Sequence, residues 1–383
     1  MSRQRKPPED AAGTEPSLLR MLALQEETLG ENHPSVILTL RSLALLLLSQ
    51  HRLADALPLL ARSLALSEEQ LRQECVASLE ARLLHVLPAL HEEAELLYSL
   101  ALAWPNEPRV RHLAIAAALL RKSLSVESLS SLSRTFCQGL SPDDLKRFEL
   151  LRSLRTGMSM LRLMGPGTRL PGEYRQSLEA LSHQSDALEE ELATRSAPLR
   201  WLRHQPMPAE VPHRVAAVLP SDGALVEFVA FRQRPLVPEH EPSSSLPTSP
   251  FRYLALLLLS NGSSHCVDLG PAEPMDVAAI LMHRALTSHS ASFQPAARAL
   301  YASAVRPLLS LLGTVRRLFI APDGWLALVP FTELHDGSRF LADAIDITQI
   351  TSGRDLLPGP EGLPRKRPAL FLTSLGLDSP PEP

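Results

Sequence analysis

A chain of 383 residues, 45% hydrophobic, has room for two or three domains with real cores, which excludes wholesale disorder. Thirty-eight basic against 42 acidic side chains leave a net charge of -4 and no domain-scale basic face, which excludes a nucleic-acid surface. Three cysteines without CxxC spacing exclude a disulfide scaffold and point to a reducing compartment.

Residues 1–16 begin with positive charge but have no apolar core behind it, so they make a poor signal peptide and are expected to be a disordered tail. The longest apolar runs, Leu43–Leu48 and Tyr253–Leu259, fall well short of the ~20 residues of a spanning helix. A cytoplasmic protein that makes no membrane contact is the expectation. Thirty-four prolines beside 4% aromatics suggest ordered pieces joined by stiff connectors.

Residues 17–75 contain an internal echo. Leu22, Ala23, Leu24, Glu26, Glu27 and Leu29 recur as Leu64, Ala65, Leu66, Glu68, Glu69 and Leu71, an offset of 42 residues. A period of that size marks an array of helical hairpins. Gly30 suits a helix C-terminal cap and Pro34 the first turn of the next helix. Leu53, Ala56, Leu57, Leu60, Leu64 and Leu71 then form a core-facing stripe. These residues resemble the long, kinesin-light-chain-like class of tetratricopeptide repeat, departing from it at His51, where that class usually has a turn glycine, and at Leu53, usually an aromatic. The resemblance implies a protein-binding surface. About one and a half repeats are recognisable, so the array is expected to lean on the helices behind it. His33 and His51 read as turn or surface histidines, with no second metal-type residue at ligand spacing.

Residues 76–205 read as an α-helical connector. Ser141-Pro142-Asp143-Asp144 is a helix start, with Leu145, Phe148, Leu151, Leu154, Met158 and Leu161 on one face. Gly165-Pro166-Gly167 ends that helix and lacks the Gly-Lys-Ser/Thr ending of a phosphate loop, so no nucleotide cofactor is expected. Tyr174, Leu178, Leu181, Leu188 and Leu192 continue as a heptad seam with polar Ser185 inside it. The two helices make an antiparallel hairpin or a dimerising coiled coil. Met158, Met160 and Met164 read as core filler.

From residue 211 to 383 the texture becomes α/β. Ala224–Phe231 and Tyr253–Leu259 read as strands, with a mobile proline-rich loop at 233–250 between them. Asn261-Gly262 turns the chain into a strand at His265–Leu269. Helices follow at about 274–287 and 295–312, then a strand at Arg317–Ile320, and a disordered tail closes the chain at 374–383. Strands this apolar belong to a sheet covered on both faces.

Val267-Asp-Leu-Gly-Pro271, Pro322-Asp323-Gly324, Pro330-Phe331 and Ser352-Gly353-Arg354 occur in order behind the repeat. Together they resemble the N-terminal half of a CHAT domain, the caspase-like peptidase module that bacteria attach to tetratricopeptide repeats. The resemblance covers 223–357 and implies a multidomain fold: an all-α helical-repeat part, then an incomplete α/β caspase-like module. It also implies a cysteine nucleophile served by a histidine, both downstream of the Ser-Gly-Arg turn, where this sequence has neither residue after Leu357. No catalytic, cofactor or metal residue is therefore assigned.

The expectation is a CHAT-family protein without intrinsic peptidase activity that binds other proteins through its helices. The alternatives are half of a split peptidase completed by a second chain, and a purely non-enzymatic adaptor. A more remote third is an unrelated hydrolase working through Ser352 or Cys266. The turn residues Pro322, Asp323, Gly324, Pro330, Phe331, Ser352, Gly353 and Arg354 are the candidate site. Asp323 lies where ligands gather in open α/β sheets, and Arg354, after a flexible Ser-Gly, is placed to grip a carboxylate. Both also read as turn-fixing residues.

Overall fold

A computed structural model describes residues 11–77, 80–122, 124, 136, 140–237, 250–288 and 293–359. Cys137, His289, the centre of the proline-rich loop and the closing tail lie outside the described residues.

The first helix, α1, runs Ala11–Leu29, so residues 11–16 are helical and not part of a tail. Gly30 closes it at φ 97°, its N–H donating to the Glu26 carbonyl at 3.1 Å. Helix α2 (Pro34–Ser49) and α3 (Leu53–Ala77) form the next hairpin. Their three-residue turn contains His51 at φ 62°, a left-handed conformation in a non-glycine residue. The backbone therefore keeps a glycine geometry at the position where the sequence lacks the glycine. The Ala56, Leu57, Leu60, Leu64 and Leu71 stripe is buried throughout.

His33 is a correction to the surface reading. It is buried at the N-terminus of α2, where Nδ1 accepts from the Ser35 N–H at 3.2 Å. With Nδ1 accepting, Nε2 carries the proton and donates to the Tyr174 hydroxyl at 3.2 Å. That hydroxyl donates in turn to the Leu161 carbonyl at 3.4 Å. Burial first, then the nearby Arg162 charge, pulls the His33 pKa down to about 4.

Helices α4 (Glu80–Ala103) and α5 (Pro108–Arg121) follow, then α6 (Pro142–Met164) and α7 (Pro171–Arg195). Ser141 caps α6, accepting from the Asp144 N–H at 3.1 Å. Asp144 meets Arg195, Arg155 meets Glu189, and Leu161 meets Tyr174. The pair is therefore the antiparallel hairpin and not a coiled coil awaiting a partner. Of the expected faces, Phe148, Leu151, Met158, Tyr174 and Leu192 are buried, whereas Leu145 is exposed. Met160 and Met164 are exposed as well, so only Met158 of the three methionines fills a core. Short α8 (Ala197–Arg203) and α9 (Val211–Val218) lead to the sheet.

The sheet has five strands in the order β3-β2-β1-β4-β5. β1 (Gly223–Arg232), β2 (Phe251–Leu259) and β3 (Ser264–Pro271) pair antiparallel. β4 (Arg317–Ala321) and β5 (Asp346–Gln349) add in parallel beside β1. Helix α10 (Ala272–Thr287) precedes α11 (Gln294–Leu300). The single helix expected over 295–312 is broken, passing from α11 through a π turn (Tyr301–Val305) and a 3-10 turn (Arg306–Leu308) to a last α turn. Pro307 explains the break, because it lacks an N–H and its ring clashes with the preceding turn.

Alternation along the strands divides the core into two layers. Leu225, Val229 and Phe231 of β1 and Leu254, Leu256 and Leu258 of β2 face α4, α5 and α9, in a core that continues into α2 and α3. Ala224, Val226 and Phe228, with Tyr253, Ala255 and Leu257, face α10 and α11. One face of the sheet is thus covered by the N-terminal helices themselves. The expected boundary between helical connector and α/β module is not a gap in packing, and the two share one core.

Two predictions follow from the front of the chain. His51→Gly relieves the left-handed strain and should raise stability by about 0.5–1 kcal/mol in urea denaturation, while His51→Val should lower it. His33 binds its proton less readily when folded, so below its ordinary pKa of 6.5 the unfolded chain takes up more protons. Stability should be full above pH 6.5 and fall towards pH 4, by at most roughly 3 kcal/mol. In His33→Asn, whose amide oxygen still caps α2, that slope should flatten by about one proton.

Candidate functional site at the C-terminal edge of the parallel strands

β1, β4 and β5 run in the same direction, so the turns after β4 and β5 meet at one edge of the sheet. These are the Pro-Asp-Gly and Ser-Gly-Arg turns. At the first, Asp323 accepts from the Ala230 N–H at 2.9 Å through one oxygen and from the Gly324 N–H at 2.8 Å through the other. It fastens the end of β1 to the turn after β4. Gly324 sits at φ 55°, and a Cβ there would lie 2.6 Å from the Tyr253 hydroxyl. Tyr253 donates to Asp276 at 2.8 Å, and burial followed by that bond raises its pKa. Pro330 starts a 3-10 turn that buries Phe331 against Phe228, with ring centroids 5.4 Å apart.

At the second turn, Ser352 and Asp355 cap each other. The Arg354 N–H donates to Ser352 Oγ at 3.3 Å, and the Ser352 N–H to Asp355 at 3.2 Å. Gly353 is required for space, since a Cβ would come within 2.3 Å of Leu225 and 2.9 Å of Leu119. Its N–H donates to Glu227 Oε1 at 2.5 Å. The Ser-Gly pair is therefore tightly held, a correction to the flexible reading. Arg354 donates to Gln205 at 2.8 Å and lies 3.9 Å from Glu68 of α3. The carboxylate it approaches belongs to the chain's own helices.

Glu227 is the residue that sequence reasoning missed. It is 1% exposed in the middle of β1, on the face turned towards the helices. Lys122, immediately after α5 and 5% exposed, donates to Glu227 Oε2 at 2.7 Å and also to the Ala321 carbonyl at the end of β4. Ser352 Oγ reaches the other carboxylate oxygen at 3.4 Å. One buried ion pair thus joins α5, β1, β4 and the Ser-Gly-Arg turn. The available signal was a lone charge in the apolar run Leu225-Val-Glu-Phe-Val229, since a buried carboxylate requires a partner.

A second cluster lies one residue away. Arg121 pairs with Glu68, donates to Ser67 at 2.8 Å and stands 3.5 Å from Glu93. Glu93 accepts from Ser63 at 2.7 Å and Ser67 at 2.5 Å. Glu68 therefore lies between Arg121 and Arg354, so the charges run from α3 and α4 into the turn after β5.

Neither described thiol lies at this edge. Cys266 is on outer strand β3, donating to the Ala101 carbonyl at 3.7 Å, and burial followed by the nearby Asp268 pushes its pKa up to about 12. Cys75 is packed in α3 and likewise raised to about 12, by burial and then by Glu68 and Glu74. His335 turns back on its own loop, accepting from the Gly337 N–H at 2.9 Å. Among the described residues, no three His, Cys, Asp or Glu side chains cluster to hold a metal ion. No helix there is long and apolar enough to cross a membrane.

Residues 294–377 match the family model of the CHAT domain. The C-terminal part of this chain is thus similar to a CHAT domain over those residues. The match begins at α11 and takes in β4, β5 and both turns, while β1, β2 and β3 of the same sheet lie before it. No curated protein matches the chain, and no solved structure does.

Glu227 holds the Ser-Gly-Arg turn, so changes around it should be felt in stability. Glu227→Gln leaves the Lys122 ammonium buried without a counter-charge and should cost about 3–5 kcal/mol in chemical denaturation. Gly353→Ala should cost about 1–3 kcal/mol by overpacking against Leu225 and Leu119. Ser352→Ala, at the long edge of the network, should cost about 1 kcal/mol.

Proposed function

We propose that this CHAT-family chain works as a protein-binding scaffold, with the tetratricopeptide-like hairpins as its interaction surface and no peptidase activity of its own. The observation that carries this reading is how the family-motif side chains are used. Asp323, Ser352 and Arg354 spend their polar atoms on backbone amides, Glu227, Gln205 and the flank of Glu68. The turns act as architecture that locks the sheet to the helices, with these side chains engaged by other described residues.

The thiols support the same reading. Cysteine catalysis needs a thiolate beside a base. Cys75 and Cys266 are both pushed up to about 12, and among the described residues neither makes a hydrogen bond to histidine. The adjacent His265 cannot serve Cys266, because neighbouring side chains on a strand point to opposite faces.

The test is a broad fluorogenic peptide library incubated with the full chain under reducing conditions. No cleavage is expected, with or without thiol alkylation. Turnover that disappears in Cys266→Ala would replace the scaffold with a cysteine hydrolase. Turnover that appears only when a second chain is added would instead favour the split peptidase.

A further inference from the structure

Helix α10 covers the sheet with Ala272, Met275, Ala279 and Met282. Its opposite side presents Glu273, Val277, Leu281 and Arg284, at steps of four, four and three, which share one face of a helix. Val277 is 50% and Leu281 54% exposed, large apolar side chains left in water. The 3-10 helix Gly324–Leu328 lies alongside, since Tyr253 bonds both Asp276 of α10 and the Asp323 carbonyl. It adds Trp325 and Leu328, 47% and 43% exposed, which lie three residues apart and so share one side of that turn. Large apolar side chains left exposed on neighbouring elements, with charges beside them, mark an interface.

The order of the stripe identifies the occupant. It reads acid, apolar, apolar, base. If a second α10 is laid antiparallel over the first, Val277 falls opposite Leu281 and Leu281 opposite Val277. The same two-fold axis sets Glu273 against Arg284 at one end and Arg284 against Glu273 at the other. Among the described residues, neither Glu273 nor Arg284 has an ion pair within the chain, so both charges are available. A two-fold interface must be complementary to itself, and this stripe is.

We propose that the chain forms a two-fold dimer through α10, with Val277, Leu281, Trp325 and Leu328 at its centre and Glu273–Arg284 pairs at both rims. Unlike the scaffold reading, this rests on exposed side chains of α10 and of the 3-10 helix beside it, and not on the hydrogen bonds of the motif turns. Either can fail alone.

The test is sedimentation velocity on the full chain over a concentration series. Dimerisation with a dissociation constant on the order of micromolar is expected. Leu281→Glu should leave a monomer. Glu273→Arg and Arg284→Glu should each weaken the dimer about tenfold or more, because each reverses two rim contacts. The double variant Glu273→Arg/Arg284→Glu should recover it, and an equimolar mixture of the two single variants should form heterodimers. All three positions are on the solvent side, so unchanged circular dichroism serves as the folding control. A wild-type chain still monomeric at about 100 µM would overturn the proposal, whatever else binds the patch. So would a dimer insensitive to Leu281→Glu, or a double variant no tighter than the singles.

Discussion

The architecture depends on placing a charged lysine and a charged glutamate in a region that excludes water. Lys122 and Glu227 come from opposite sides of the interface between helices and sheet, 105 residues apart in sequence. Stripping water from two ions costs several kcal/mol each, and their attraction offsets this only when geometry and hydrogen bonding are complete. Here they are nearly so. The ammonium has the carboxylate and the Ala321 carbonyl, while the carboxylate has the ammonium, the Gly353 amide and the Ser352 hydroxyl. Several elements must be in register at once for the pair to form. An apolar contact tolerates a small slip, but a half-satisfied buried charge does not.

That constraint explains the chemistry of the motif turns. Gly353 is glycine because its amide must approach a carboxylate in the sheet, with Leu225 and Leu119 closing over the spot. Gly324 is glycine for a different reason, a left-handed φ under a tyrosine hydroxyl. Asp323 and Ser352 begin short 3-10 turns at one sheet edge and bind strand β1 from two sides. The turns are therefore joints that close the sheet edge against α5.

The sequence was most legible where local chemistry decides the outcome. Gly30, Pro34 and Ser141 marked helix ends through backbone geometry and capping, which act within a few residues. The apolar runs of β1 and β2 marked strands buried on both faces. The His51 departure concealed a turn that survives, because tertiary packing outweighs a modest cost in φ. Other features depended on distant partners. Glu227 looked like a blemish in a strand because Lys122 is far away in sequence. His33 looked like a surface residue because Tyr174 lies 141 residues beyond it. β5 went unseen because four residues at a sheet edge, Asp346-Ile-Thr-Gln349, carry almost no pattern of their own. At Ser352-Gly353 the flexibility read from the sequence gives way to a turn held through Glu227, a partner 125 residues or more away in sequence.

Arg354 shows why that difference matters for function. A guanidinium after a Ser-Gly pair suggests capture of an incoming carboxylate. In the fold it lies against Gln205 and beside Glu68, while Glu68 is itself bound by Arg121. A ligand carboxylate would have to compete with groups already held in place by packing. Losing Arg354 would leave Glu68 with Arg121 alone, and Arg121 is shared with Glu93 and Ser67. Ligand capture and the joint between helices and sheet therefore draw on the same donors.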